Sequence, residues 1–196
     1  MFNLPPAIRA LLLTNVAVYA LQLLGANQVL VYYCALWPLD SSLFEPWQLL
    51  TYGFLHEAGN PLHLLFNMLA LWMFGADVER VWGRNRFLTY YLVCVLSAGL
   101  TQLLVTSWLH LADSTIGASG GVFGVLLAFG MMYPQRTILL IFPPIPMPAW
   151  LLVTGYGLLE LYAGVTGPMD HVAHFAHLGG MLGGYLLIRY GRSRRR

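Results

Sequence analysis

A serine and a histidine, each followed by glycines, are the residues with the clearest capacity for chemistry. Ser119 lies in the sequence Gly-Ala-Ser-Gly-Gly, and His177 in the sequence Ala-His-Leu-Gly-Gly. A serine hydroxyl becomes a nucleophile when an imidazole within ~3 Å can take its proton. The residue types therefore favour a hydrolase with Ser119 as the nucleophile, if the fold brings the two side chains together.

Donors for a developing oxyanion are present in the same sequence. Ser119 is predicted at the start of a helix, where free N–H groups and the helix dipole favour negative charge. His63 and Asn67 are four residues apart, so they share one face of a helix and could add side-chain donors.

His171, His174 and His177 follow one another at a spacing of three residues, so spacing alone cannot choose the base. His177 is favoured because it directly precedes Gly179 and Gly180 and lies ~4.5 Å deeper than His174 at 1.5 Å per residue. The same three histidines could instead bind a metal.

Two glycine-rich segments predict how the serine and the histidine meet. Small residues every three or four positions allow close approach of two helices in lipid. We expect the glycines of the two segments to pack on each other: Gly117, Gly120, Gly121 and Gly124 in one, and Gly179, Gly180, Gly183 and Gly184 in the other.

The composition places these residues in a membrane. Of the 196 residues, 58% are hydrophobic and 9% are charged, against about 25% charged in ordinary soluble domains. The length suits one all-α polytopic membrane domain over residues 1–196. Six apolar runs approach the ~20 residues needed to span a bilayer. They are 9–30, 61–78, 86–108, 117–133, 147–165 and 171–190.

The charges support this count. With the N-terminus inside, all ten arginines fall on the inner side, and five of the eight acidic residues fall in the outer links 31–60, 109–116 and 166–170. This is the positive-inside pattern, so we expect both termini in the cytoplasm.

The aromatic link 31–60 is expected to lie partly in the membrane. The arginines form no stripe for nucleic acid, and anionic lipids are the simpler partner. Cys34 and Cys94 are not expected to form a disulfide.

Four motifs in order resemble the rhomboid family of intramembrane serine proteases. They are Gly117-Ala118-Ser119-Gly120, Ala176-His177-Leu178-Gly179-Gly180, His63-Leu64-Leu65-Phe66-Asn67 and Glu45-Pro46-Trp47-Gln48-Leu49-Leu50-Thr51. The match covers nearly the whole chain. It departs from the family pattern at Gln48, where the motif has Arg.

The resemblance implies a six-helix rhomboid-like bundle and a Ser119–His177 dyad with no third carboxylate. It implies cleavage of single-span membrane proteins, no cofactor and no metal, and a bacterial inner membrane as the location. Phe123 matches a position where the family has an aromatic side chain on the catalytic imidazole.

Other interpretations remain open on the residues alone. Each polar or small residue has a structural reading, in which the serine bonds a backbone carbonyl, the asparagine joins helices and the glycines only pack. A catalytically dead relative that binds membrane clients would keep the same motifs. A channel or metal transporter would use the three histidines as ligands, but the inner halves of the spans offer few ionisable groups for a polar path.

Overall fold

The chain folds mainly into α-helices, as seen in a computed structural model that describes residues 4–139, 144–166 and 173–193. The helices are α1 (Pro6–Leu21), α2 (Asn27–Cys34), α3 (Gln48–Thr51), α4 (Pro61–Ala70), α5 (Ala76–Trp82), α6 (Arg84–Leu109), α7 (Ser119–Met132), α8 (Ala149–Thr166) and α9 (His174–Ser193). The π-helical segments Gln22–Ala26 and Leu71–Gly75 connect α1 to α2 and α4 to α5. A 3₁₀ turn, Tyr52–Phe54, follows α3.

Three helical segments among the described residues are long and apolar enough to cross a membrane. They are Pro6–Cys34, Pro61–Trp82 and Arg84–Leu109, at the positions of the first three predicted spans. The first continues past its predicted end at residue 30 and is kinked at Gly25, whose φ is 105°. Helices α7, α8 and α9 overlap the other three predicted spans. The chain is thus a mostly helical protein with membrane-spanning helices, and the count of six spans stays a prediction.

Helix α7 is too short to cross a bilayer by itself. Its 14 residues give about 21 Å at 1.5 Å per residue, against ~30 Å of hydrocarbon. Nine of these residues are buried, because α4, α6, α8 and α9 all contact the helix. A short apolar helix enclosed in this way holds its first residue, Ser119, inside the protein.

Glycines let α9 approach two helices at once. A Cβ on Gly180 would overlap the backbone of Gly120 in α7, which confirms the predicted contact between the two segments. Gly179, Gly183 and Gly184 face α6 instead. Gly179 lies against Thr101, and Gly183 against Ser97. The contact between the two segments is thus made at Gly120, Gly124 and Gly180.

A buried carboxylate fixes one end of the molecule. Glu79 in α5 accepts hydrogen bonds from the backbone N–H groups of Ala7 and Ile8, both at 2.8 Å. The first turn of α1 has no side-chain cap of its own, so Glu79 supplies the missing acceptors from another helix. Nearby, Asp77 pairs with Arg80 at 2.8 Å and with Arg136 at 2.6 Å.

The long link of residues 31–60 carries α3 and packs against the helices. Tyr52 donates a hydrogen bond to the carbonyl of Val95 at 2.8 Å. Gln48, which replaces the arginine of the family motif, is fully buried. Its Nε2 donates to the carbonyl of Leu43 at 2.8 Å, and its Oε1 accepts from the N–H of Trp37 at 3.3 Å. A neutral amide therefore anchors this loop from within.

A small hairpin joins α7 to α8 and is not part of the all-α prediction. Strands β1 (Thr137–Leu139) and β2 (Pro146–Pro148) pair antiparallel, with Ile138 opposite Met147. The prolines of this stretch disfavour a helix, and the extended alternative finds a partner strand. Cys34 and Cys94 are both free, as expected.

Several predicted features lie outside the described residues. They are the acidic Asp170 of the third outer link, the outermost histidine, His171, and the last three arginines of the tail, Arg194, Arg195 and Arg196.

Candidate active site

A glycine turn places Ser119 at the start of α7. Gly117 has a φ of 129°, a conformation that favours glycine, and its N–H donates to the carbonyl of Tyr52 at 3.0 Å. A Cβ at Gly117 would lie 3.0 Å from His63 Nε2 and 3.6 Å from Ser119 Oγ. The missing side chain thus leaves a small space that the imidazole of His63 and the hydroxyl of Ser119 both border.

Ser119 and His177 are in hydrogen-bond contact. The distance from Ser119 Oγ to His177 Nε2 is 2.7 Å, which matches the geometry of an activated nucleophile. The close packing of Gly120 on Gly180 makes this distance possible, since it brings the backbones of α7 and α9 together one residue after Ser119 and three after His177. His177 is 8% exposed.

An aromatic ring holds the imidazole of His177 in place. The Phe123 ring stacks on the His177 ring with 4.3 Å between centroids and 6° between planes. Tyr156 of α8 packs edge-on against Phe123, with centroids 6.2 Å apart. Phe123 therefore packs on the imidazole of His177, as the family resemblance implies.

The second nitrogen of His177 also has a partner, which the sequence analysis missed. His177 Nδ1 lies 2.8 Å from Oε2 of Glu160 in α8. The expectation of a dyad with no third carboxylate is wrong for this geometry. A signal was available, because Glu160 is a carboxylate inside the predicted fifth span, 147–165, and ionisable groups within spans are costly and usually functional.

His174 lies beside the pair but not on the serine. Its Nδ1 is 2.7 Å from the same Glu160 oxygen, and its ring centroid is 6.5 Å from that of His177. The structure thus brings His177 to Ser119, as predicted, and His174 to the carboxylate oxygen that His177 also contacts.

His63 faces the same space as Ser119, whereas Asn67 points into its own helix. His63 Nδ1 lies 3.5 Å from the N–H of Glu57, an interaction that would leave a proton on Nε2, the atom near Gly117. Asn67 Nδ2 donates to the carbonyl of His63 at 2.8 Å. The oxyanion role of both side chains therefore stays a prediction, and Asn67 holds the turn of helix that carries His63.

Glu160, His174 and His177 have the donor set of a metal site. Their potential ligand atoms all lie within 4.8 Å of one another, and two histidines with one carboxylate suit several divalent cations. The hydrogen bonds from both imidazoles to Glu160 already account for this closeness. The metal interpretation therefore has no feature here that requires an ion.

Comparison with known proteins identifies the family. The family model of the Rhomboid domain matches residues 43–194. Rhomboid protein 1, mitochondrial, of Saccharomyces cerevisiae is 34% identical over 126 residues, which cover 63% of this chain and 36% of that protein. Rhomboid protease GlpG of Klebsiella pneumoniae is 28% identical over 202 residues, covering 98% of this chain and 67% of that protein. Rhomboid protease GluP of Bacillus subtilis is 32% identical over 143 residues, covering 72% and 25%.

The chain belongs to the rhomboid family. Its matched segments span 36% of the length of the yeast relative and 25% of the Bacillus relative.

Proposed function

We propose that this chain is an intramembrane serine endopeptidase that cleaves single-span membrane proteins in or near the bilayer. The distance of 2.7 Å between Ser119 Oγ and His177 Nε2 carries the proposal. Its support is the enclosure of that pair by apolar helices and the relatives that are named rhomboid proteases.

The reaction follows from the geometry of the pair. His177 Nε2 accepts the Ser119 proton as Oγ attacks the substrate carbonyl carbon. The Ser119 N–H and the His63 side chain then donate hydrogen bonds to the oxyanion that forms, and Asn67 supports His63. His177 then gives the proton to the leaving amine as the C–N bond breaks. A water, deprotonated by His177, finally hydrolyses the acyl ester and restores the serine. No step needs a metal or cofactor.

The substrate class rests on where Ser119 lies. A polypeptide that reaches this serine has to pass between apolar helices, so a transmembrane segment fits better than a soluble loop. Membrane lipids surround such a protein, and no nucleic acid is expected as a partner.

The proposed setting is a bacterial inner membrane, with six spans in one domain and both termini in the cytoplasm. The contacts of Asp77 with Arg80 and Arg136 bring two predicted inner links together, and Glu79 joins the start of α1 to the same end. A membrane-impermeant thiol reagent should label Asp113→Cys but not Asn85→Cys in intact cells that express an otherwise cysteine-free chain. Labelling of Asn85→Cys would contradict the six-span topology.

Activity is tested with a fluorophosphonate probe and a panel of tagged single-span substrates. We expect the wild type to be labelled at Ser119 and to cleave at least one substrate. Ser119→Ala and His177→Ala should lose both activities, since removing either member of such a pair costs about 10⁶-fold in serine proteases. His174→Ala should keep measurable labelling, and a chelator should change nothing.

Ser42→Ala is the matched control, because Ser42 is exposed in the outer link, and it should leave labelling unchanged. A wild type that is not labelled would indicate the inactive client-binding relative. Activity lost with a chelator and restored by zinc would favour the metal interpretation.

A further inference from the structure

Glu160 is the one carboxylate, among the described residues, that bonds the histidine of the candidate site. It is 8% exposed and lies in an apolar helix, where an ionised group is costly unless it is paired. Its Oε2 atom lies 2.8 Å from His177 Nδ1 and 2.7 Å from His174 Nδ1. An ionised carboxylate oxygen can only accept, so each imidazole donates from Nδ1.

The helix that carries Glu160 presents one face to the site. Tyr156, Glu160 and Gly164 are four residues apart and therefore lie along one side of α8. Tyr156 packs on Phe123, and a Cβ at Gly164 would lie 3.3 Å from His174 Cβ. The contacts of Tyr156 and Gly164, one turn before and one turn after Glu160, therefore hold this face of α8 against the histidines.

From this arrangement we propose that Glu160 is a positioning residue, which sets the tautomer of His177 and thereby its ability to act as base. This inference rests on the proposed protease function. With the proton of His177 on Nδ1, the lone pair of Nε2 points at the Ser119 hydroxyl. Glu160 also stabilises the imidazolium that forms when His177 takes the serine proton.

His174 acts through Glu160. Its hydrogen bond to the same oxygen holds the carboxylate in the rotamer that reaches His177, and it gives the buried charge a second donor. His174 is therefore expected to affect the reaction only while Glu160 is present.

The decisive variant is Glu160→Gln. The glutamine amide can donate to Nδ1, which would place the imidazole proton on Nε2 and block it as a base. We expect the rate of fluorophosphonate labelling and kcat for cleavage to fall about 10⁴-fold, as for the equivalent change in a Ser-His-Asp enzyme, with little change in KM. Asp40→Asn is the matched control, because it removes an exposed carboxylate of the outer link, and it should label at the wild-type rate.

A double-mutant cycle tests the part assigned to His174. His174→Ala alone should slow labelling by about 10-fold, the value of one hydrogen bond to a charged group. In the Glu160→Gln background the same change should have no further effect, because coupled residues are not additive. Full additivity of the two changes would contradict the route through Glu160.

The tautomer itself can be observed in the wild type, without any Glu160 variant. With ¹⁵N-histidine in the chain, the NMR signal that disappears in His177→Ala should report a proton on Nδ1. A proton on Nε2 at neutral pH, or a Glu160→Gln protein that labels at the wild-type rate, would overturn the inference. A wild type that shows the Nδ1 proton but no labelling at Ser119 would instead refute the proposed protease and leave the Glu160 contact intact.

Discussion

Glu79 and Glu160 are both buried carboxylates in helices of an apolar chain, and they have different kinds of partner. Glu79, 2% exposed, accepts two backbone N–H groups at the start of α1. Glu160, 8% exposed, accepts from two imidazoles, one of which reaches Ser119.

Because their partners differ, we expect Glu79 to stabilise the fold and Glu160 to act in the proposed reaction. Backbone N–H groups do not titrate and do not move, so the bonds of Glu79 only join two elements. Imidazoles can both accept and donate protons, so the bonds of Glu160 act on groups that can react. Changes around Glu160 should therefore alter rate, and changes around Glu79 should alter stability.

After Ser119, His177 and Glu160, the largest effect on the reaction is expected at His63. His63→Ala should lower the cleavage rate by about 10²- to 10³-fold, the usual cost of losing an oxyanion donor. Asn67→Ala should lower it less, because the Asn67 amide bonds the carbonyl of His63. Their thermal unfolding in detergent micelles should change little. Wild-type rates in both variants would show that the two side chains only support the helix.

The change Glu79→Ala tests the structural side of the comparison. It removes the acceptor of two buried N–H groups, so the free energy of unfolding should fall by about 2–3 kcal/mol. Fluorophosphonate labelling per folded molecule should stay at the wild-type level.

Glu79→Gln is its matched control, because the amide oxygen can still accept a hydrogen bond, and it should lose less stability. Equal stability of Glu79→Ala and the wild type in denaturant titrations would show that the bonds of Glu79 do not stabilise the fold.

The smallest effect is expected at Asp77, a third carboxylate at the same end of the molecule as Glu79. Its arginine partners are more than half exposed, and exposed ion pairs contribute about 0–1 kcal/mol. Asp77→Asn should therefore change the unfolding free energy by less than about 1 kcal/mol, and by less still at high salt. A loss as large as that of Glu79→Ala would show that burial is not what separates these carboxylates.

Much of the site was predictable from the sequence because its motifs are local. The glycines around Ser119 mark a turn into a helix, and the glycines after His177 mark a close approach, so the pairing of these two residues followed. Helix positions were predictable for a related reason, since apolar runs of sufficient length have few alternatives in lipid.

Other features were not predictable because no local sequence pattern fixes them. The hairpin between α7 and α8 forms from two three-residue strands, and no local sequence pattern indicates that they pair. The direction of the Asn67 amide, towards the carbonyl of His63 rather than towards Ser119, is a choice among rotamers that the i,i+4 spacing leaves open.

The sequence by itself determined that this chain is an apolar helical protein of the rhomboid family and that Ser119 and His177 belong together. Composition, charge placement and short motifs are sufficient for that, because each acts within one helix or its ends. Only the tertiary structure decided that Glu160 of α8 bonds the second nitrogen of His177 and shares its oxygen with His174. The physical reason is that a buried carboxylate takes whatever donors the packing of α9 on α8 brings within 3 Å, and that packing is not encoded in either helix alone.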